Sequence, residues 1–409
     1  MKSILVIGGG LIGAACAFRL QQAGIRATLI DPGDKRRAAS YGNAGHIGAE
    51  QVSPWSTWGN VLRAPAASFA IGGPLDFRWS DAGLVLPWVS RFLGACNATA
   101  VERGRAALSA LLLDTMGAWQ RLTRDIGAPD LVLPHGHVTA WTSARAAERG
   151  RRAAERTNGG ATTWRDLNAE ELGRYAGLMK RPPCAGILFS GTGQVRDPQG
   201  ARDAILAAFL ALGGEIVTGK VTHLDANGAV TLENDAAPRT DAVLIAAGAW
   251  SGALMRQLGQ VAPLIGERGY HVQSAQHDWP EDLPTTVFEQ HFVVFSRFSS
   301  GLRATSCIEF GSPDAPGDVR KWRLLERRIG ELGVRFSSTP DRWVGSRPTL
   351  PDYVPAIGRL ARAPNVLYAF GHAHLGLTMC AATAEIVATL ATERDAPIDM
   401  AAFAIERFG

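Results

Sequence analysis

Residues 3–31, SILVIGGGLIGAACAFRLQQAGIRATLID, decide the fold class. From Ser3 to Ile7 runs a β-branched and leucine stretch, fit for a strand buried on both faces of a parallel sheet. It enters Gly8-Gly9-Gly10-Leu11-Ile12-Gly13, a G-x-G-x-x-G turn, and then a helical pattern from Leu11 to about Ala23. Gly24 closes that helix, and ATLI leads a second strand to Asp31. Gly8 makes the tight turn, Gly10 lets the backbone approach a pyrophosphate, and Gly13 permits close packing of helix on strand. The N–H groups at Leu11 and Ile12 open the helix toward phosphate charge. Asp31 offers acceptors to ribose hydroxyls. The stretch reads as a dinucleotide-binding βαβ unit.

The residues after Asp31 separate the two dinucleotides that share an ADP half. A nicotinamide enzyme usually continues into further Rossmann units, whereas this chain turns into RAASYGNAGHIG at 37–48. Such a loop, rich in small residues and in amide or hydroxyl side chains, suits an extended FAD. Ser40 is placed to donate to phosphate, and Asn43-Ala44-Gly45 lets a flat ring come close.

The 409 residues are too many for one small core, so two domains are expected. The net charge of +4 comes without a long basic run, and RKWRLLERR at 320–328 has the mixed signs of a solvated helix face. Nucleic-acid binding is therefore not expected. Five cysteines, odd in number and without C-x-x-C, indicate buried thiols in a reducing compartment. No signal-peptide pattern and no uninterrupted membrane span is seen in the sequence. A cytoplasmic location is expected, with peripheral contact at the inner membrane left open.

Along the chain, 51–189 reads as irregular, then helical from about 101 to 126, with two short strands in LVLPHGHVTAW (131–141). A helix from 199 precedes a strand and hairpin near 215–234. TDAVLIAAGAW (240–250) is a buried strand ending at Gly248 and Trp250, both assigned to the cofactor. Residues 268–311 alternate like antiparallel strands, 318–333 like an amphipathic helix, and NVLYAFG (365–371) like another buried strand before a helix at 378–393.

Taken in order, VIGGGLIGAACAFRL, SYGNAGHIG, GGEIVTGKVTHL, AVLIAAGAWS, ERGYHV, GLRATSCIEFG, GSRPTLPDYVPAIG and GHAHLGLTMCAATAEIV resemble the D-amino-acid oxidase-like family of FAD-dependent oxidoreductases. The resemblance spans essentially the whole chain and is greatest to bacterial D-amino-acid dehydrogenases, including those acting on D-proline or D-hydroxyproline. It implies an α/β fold with mixed α+β character. A Rossmann-like FAD-binding domain (1–50, 190–265 and 345–409) would carry an inserted, largely antiparallel substrate domain (51–189 and 266–344). It also implies noncovalent FAD, since Gly345 stands where some sarcosine oxidases attach flavin through cysteine, and Val221 at the adenine end.

Oxidising an amino acid requires a grip on its carboxylate, a neutral amine when hydride leaves Cα, and stabilisation of the reduced flavin's charge. Arg347 is the preferred clamp, because a planar fork binds two oxygens at once and the resemblance places such an arginine here. Its alternative is an ion pair with an acid such as Asp352. Tyr270 would add a hydroxyl to the pocket or serve as core. In GHAHLGLT, Gly371 and Gly376 let the backbone lie against the flavin, and the helix starting near Leu377 and Thr378 points N–H groups at the ring. His374 would line the pocket, His372 is structural beside the cofactor, and His46 would approach the ring from the other loop. The H-x-H pairs 135/137 and 372/374 have no carboxylate or cysteine at ligand spacing, so no metal is expected.

The function read from these residues is oxidative deamination of a D-amino acid or small secondary amino acid, by hydride transfer from Cα to flavin N5. Oxygen, a quinone and a protein all remain open as electron acceptor, as does the oligomeric state. The rival readings are a glycine or sarcosine-type oxidase, a flavin-carrying subunit of a heteromeric amine dehydrogenase, and a nicotinamide reductase.

Overall fold

A computed structural model describes residues 1–156 and 161–409. The buried strand Ser3–Ile7 lies inside a six-stranded sheet ordered Glu215–Thr218, Arg26–Asp31, Ser3–Ile7, Ala242–Ile245, Val366–Phe370 and Ala356–Arg359. The first five run parallel, and Ala356–Arg359 returns antiparallel. Alternation along Ser3–Ile7 sends side chains to two cores. Ile4 and Val6 meet helices Leu11–Gln22, Pro198–Ala211 and Gly376–Ala391. Leu5 and Ile7 meet the hairpin Val221–Leu224/Val230–Leu232 and helix Ser251–Gln257. Each fully buried aliphatic contributes roughly 2 kcal/mol, which fixes this strand firmly between its layers. The stretch Ala373–Ala391 is apolar enough to cross a membrane by composition, but two-thirds of it is buried here in the first core.

A larger sheet carries, side by side, Asp341–Thr349, Ile265–Ser274, Gly301–Gly311, Val293–Phe298, Thr286–Phe288, His137–Trp141, Ala185–Ser190 and Thr163–Asp166. It is antiparallel apart from two short pairings, Thr286–Phe288 with His137–Trp141 and Leu75–Phe77 with Gly301–Gly311. A three-stranded patch of His46–Ile47, Gly193–Val195 and Val132–Leu133 ties loop 37–48 to the region between the sheets.

Residues 51–189 hold more regular structure than their sequence pattern suggests. A helix spans Ala82–Ala95 although Pro87 lies inside it; an interior proline ordinarily breaks the pattern. The helix expected at 101–126 is two, Ala98–Leu112 and Thr115–Asp125. Ala144–Arg156 and Ala169–Ala176 are also helical, the latter opened by a capping box between Asn168 and Glu171. The boundary expected at 345 falls inside the strand Asp341–Thr349 of the larger sheet.

Helix Val319–Leu332 covers one face of that sheet through a buried ionic cluster. Glu309 accepts from Arg268 at 2.5 Å, from Tyr270 at 2.7 Å and from Lys321 at 2.8 Å. Removing one partner of a buried cluster strands the others. Glu309→Gln is expected to lower stability by about 3 kcal/mol, measured by urea unfolding; a change within about 0.5 kcal/mol would show that the cluster carries no net weight.

Candidate functional site

Gly8 leaves the first strand at φ +110°, where L side chains are strained, and its N–H donates to Ile30 O at 2.8 Å. A Cβ on Gly13 would sit 1.8 Å from Gly8 O, so the helix meets the turn only because residue 13 is glycine. Asp31 accepts from Gly9 N at 2.7 Å and from Gly33 N at 2.8 Å, one bond to each carboxylate oxygen. Each oxygen keeps a second lone pair for a ligand hydroxyl. Helix Leu11–Gln22 has no side-chain cap; the Leu11 N–H makes a long 3.4 Å bond to Ser40 Oγ.

This turn opens onto a cavity of about 650 Å³. Gly8, Gly10, Leu11, Ile12 and Asp31 line it, joined by Ser40 and Asn43 from the following loop. Val221, Gly248 and Trp250 line it as well, together with Arg347, His372, Gly376 and Leu377. Segments distant in sequence thus converge on one space. Gly13, Ala44, Gly45, Gly371 and Thr378 lie off its wall and act behind it. Gly45, at φ +71°, leaves room for the Phe298 ring, and Gly371, at φ +82°, for Leu350. Thr378 accepts from Gly48 N at 3.0 Å and donates to His46 O at 3.4 Å, strapping loop 37–48 to the start of helix Gly376–Ala391. His372 bonds Thr383 Oγ1 at 3.1 Å, and burial pushes its pKa down to about 3.

Arg347 reaches the cavity from the larger sheet, directly across from Glu267 on the neighbouring strand. Its Nη1 donates to Glu267 Oε1 at 3.1 Å; Glu267 is 1% exposed and Arg347 22%. Thr349 Oγ1 donates to the other Glu267 oxygen at 3.2 Å. Gly269 makes space for the guanidinium, which a Cβ there would meet at 2.3 Å. Asp352, the alternative partner for Arg347, pairs instead with Arg407 at 2.7 Å. Among the described residues Nη1 alone of the Arg347 nitrogens is engaged, so an edge of the fork is left for an anion.

His374 stands off the cavity wall near this pair. Its Nε2 is 2.8 Å from Gln51 Oε1, its ring lies 5.0 Å from that of Trp55, and Tyr353 flanks both. Burial lowers its pKa, with Glu267 raising and Arg347 lowering it further, so the ring is neutral at neutral pH. His46 also lies off the wall, its pKa pushed down to about 4 by burial and then by His374. Tyr270 requires correction. Glu267, Gly269 and His271 share the face of their strand that meets Arg347 and loop 37–48. Tyr270 falls on the opposite face, where its hydroxyl donates to Glu309 and its ring packs on Trp322 at 5.2 Å. It is a buried cluster residue and does not line the pocket.

Glu267, Gln51, Trp55 and Tyr353 are not singled out by the sequence. Nor is Arg202, whose Nε donates to Gly9 O at 2.6 Å and braces the turn. For Glu267 a signal exists in its place three residues before Tyr270, but only strand register reveals its partner.

A model of the FAD dependent oxidoreductase (DAO) family matches residues 3–390. The chain belongs to that family. It is 31% identical to a D-amino-acid oxidase of Bradyrhizobium diazoefficiens over 100% of this chain and 99% of the relative. It is 29% identical to a D-amino acid dehydrogenase of Paramagnetospirillum magneticum, over 99% and 98%. The crystal structure of glycine oxidase from Geobacillus kaustophilus superposes with a TM-score of 0.71 at 19% identity, covering 100% of this chain and 99% of that one.

The residues present fit this FAD-dependent oxidoreductase's cofactor. A Cβ on Gly10 would find no protein atom nearer than 4.0 Å, so the turn is open where a pyrophosphate must approach. Asp31 would hold ribose hydroxyls, Leu11 and Ile12 N–H groups the phosphates, and Gly376 and Leu377 the ring end. Gly13→Ala is expected to yield protein that has lost most of its bound FAD, read from the ratio of flavin to protein absorbance. Full flavin occupancy in that variant would contradict the packing argument.

Proposed function

We propose that this FAD-dependent oxidoreductase dehydrogenates the Cα–N bond of a D-amino acid, or of a small secondary amino acid such as D-proline or D-hydroxyproline, giving an imino acid. The observation that carries the reading is Arg347, a cavity-lining guanidinium anchored on one edge by buried Glu267. When bound, FAD supplies the hydride acceptor. Everything else is positioning by this chain.

Arg347 receives the substrate carboxylate on the edge that Glu267 leaves free; charge-assisted bidentate contacts fix orientation as well as affinity. Burial keeps His374 neutral, so it does not repel a substrate amine. The Gln51 amide oxygen faces His374 Nε2 at 2.8 Å. An amide oxygen only accepts, so Nε2 carries the imidazole proton and Nδ1 its lone pair. That Nδ1 is buried without a partner among the described residues. Trp55 and Tyr353, ring centroids 6.1 Å apart, pack beside His374 and hold its ring in place. The D preference is supported by the full-length relatives named D-amino-acid oxidase and D-amino acid dehydrogenase.

Anaerobic mixing of the yellow protein with D- and L-amino acids, both hydroxyproline epimers included, tests the reading through flavin bleaching. Bleaching by D substrates and not by their L forms is expected; bleaching by L forms alone, or by none, would overturn it. Arg347→Lys should weaken substrate binding about 10- to 100-fold, the worth of one charged hydrogen bond, with FAD retained.

A further inference from the structure

Behind loop 37–48, three side chains converge that the redox site does not use. His46 comes from strand His46–Ile47, Glu50 lies four residues later, and His137 opens strand His137–Trp141 of the larger sheet. One donor atom from each lies within 4.8 Å of the others. His137 Nε2 is 3.7 Å from Glu50 Oε1, and the two imidazole centroids are 4.1 Å apart.

Their hydrogen bonding leaves this meeting point unfilled. Thr192 Oγ1 donates its proton to Phe189 O at 3.1 Å, so it accepts from His137 Nδ1 at 3.0 Å. The second nitrogen of His137 therefore presents a lone pair to Glu50. His46 Nε2 and Glu50 Oε2 are buried with no partner among the described residues. Buried polar atoms in folded proteins almost always find a proton, a water or an ion. Among the described residues, the ion-pair contact of Glu50 is with His137 and with no lysine or arginine. A carboxyl group buried in this way is paired, coordinated or protonated.

We propose that His46, Glu50 and His137 form a binding site for one divalent transition-metal ion, zinc or ferrous iron by ligand type. Two imidazoles and a carboxylate select these ions over magnesium or calcium, which take oxygen ligands. Donors about 2.1 Å from a tetrahedral ion lie roughly 3.4 Å apart, so the site closes on binding by side-chain rotation. The Thr192 bond orients His137 in the way outer partners orient metal-ligating histidines. The ion fastens residues 46–50 to the larger sheet, while Gly48 N and Thr378 bind the same segment to the helix at the cofactor cavity. It is a staple behind the flavin site and carries no redox step. His135, the other member of the H-x-H pair, points elsewhere and bonds Gly136 O at 3.0 Å.

The holoprotein, purified through a tag free of histidine and dialysed, is analysed for bound metals by mass spectrometry. About one divalent ion per chain is expected in wild type and in His135→Asn. At least a tenfold loss is expected in Glu50→Gln and in His137→Asn, the scale of affinity lost when a metal site is disturbed. In parallel, chelator-treated wild-type holoprotein is titrated with zinc or ferrous iron and its melting followed by flavin fluorescence; a raised midpoint is expected in wild type and none in Glu50→Gln. Wild-type protein holding no ion, with no change in midpoint, would overturn the proposal and assign the space to water or a shared proton. A stoichiometric ion that survives both substitutions would also overturn it. Should either variant fail to fold, the wild-type titration alone decides.

Discussion

The contact between Glu267 and Arg347 sets the terms for the rest of the site. A carboxylate 1% exposed cannot stay buried without donors, and Arg347 and Thr349 supply them. In return the guanidinium is held at the cavity on one edge only. This arrangement needs the neighbouring strands Ile265–Ser274 and Asp341–Thr349 in register, with glycine at 269 so that the fork lies flat across the strand. A slip of one residue would turn Glu267 toward helix Val319–Leu332 and bring Arg268 to the cavity.

The six-stranded sheet meets this requirement from the other side. Its first βα turn, shaped by Gly8 and Gly13, and the helix after Val366–Phe370 both open onto the cavity that Arg347 enters. Loop 37–48 is the seam between the sheets. His271 contacts Gly42 O at 3.1 Å, Arg303 donates to Asn43 O at 2.5 Å, and Thr378 ties down His46 and Gly48. The geometry between the nucleotide turn and Arg347 is therefore held by both sheets, and the proposed metal staple would add to the same seam.

The features legible in sequence are those that depend on local chemistry. The glycines of 8–13, Asp31, the buried strands and Arg347 between a glycine and prolines each carry their reason within a few residues. The illegible ones depend on pairing across long separations. The sequence pattern puts Tyr270 on the wrong side of its strand, because the face of a strand follows from register. Glu267 meets Arg347 across eighty positions, and Gln51 meets His374 across 323. The histidine pair at 135 and 137 lacks a carboxylate nearby in sequence, yet the fold splits the pair and brings Glu50 and His46 to one member. Pro87 hides a helix for the opposite reason: a strong local signal is overridden by tertiary packing of Val85 and Trp88.

The most direct measurement is a double-mutant cycle between Glu267→Gln and Arg347→Lys, with kcat/KM and flavin content followed together. If the acid holds the fork in place, the two losses overlap, leaving a coupling of more than about 1 kcal/mol while both variants keep FAD. Losses that simply add, within about 0.5 kcal/mol, would contradict the account and leave Arg347 as an arginine with no special anchor.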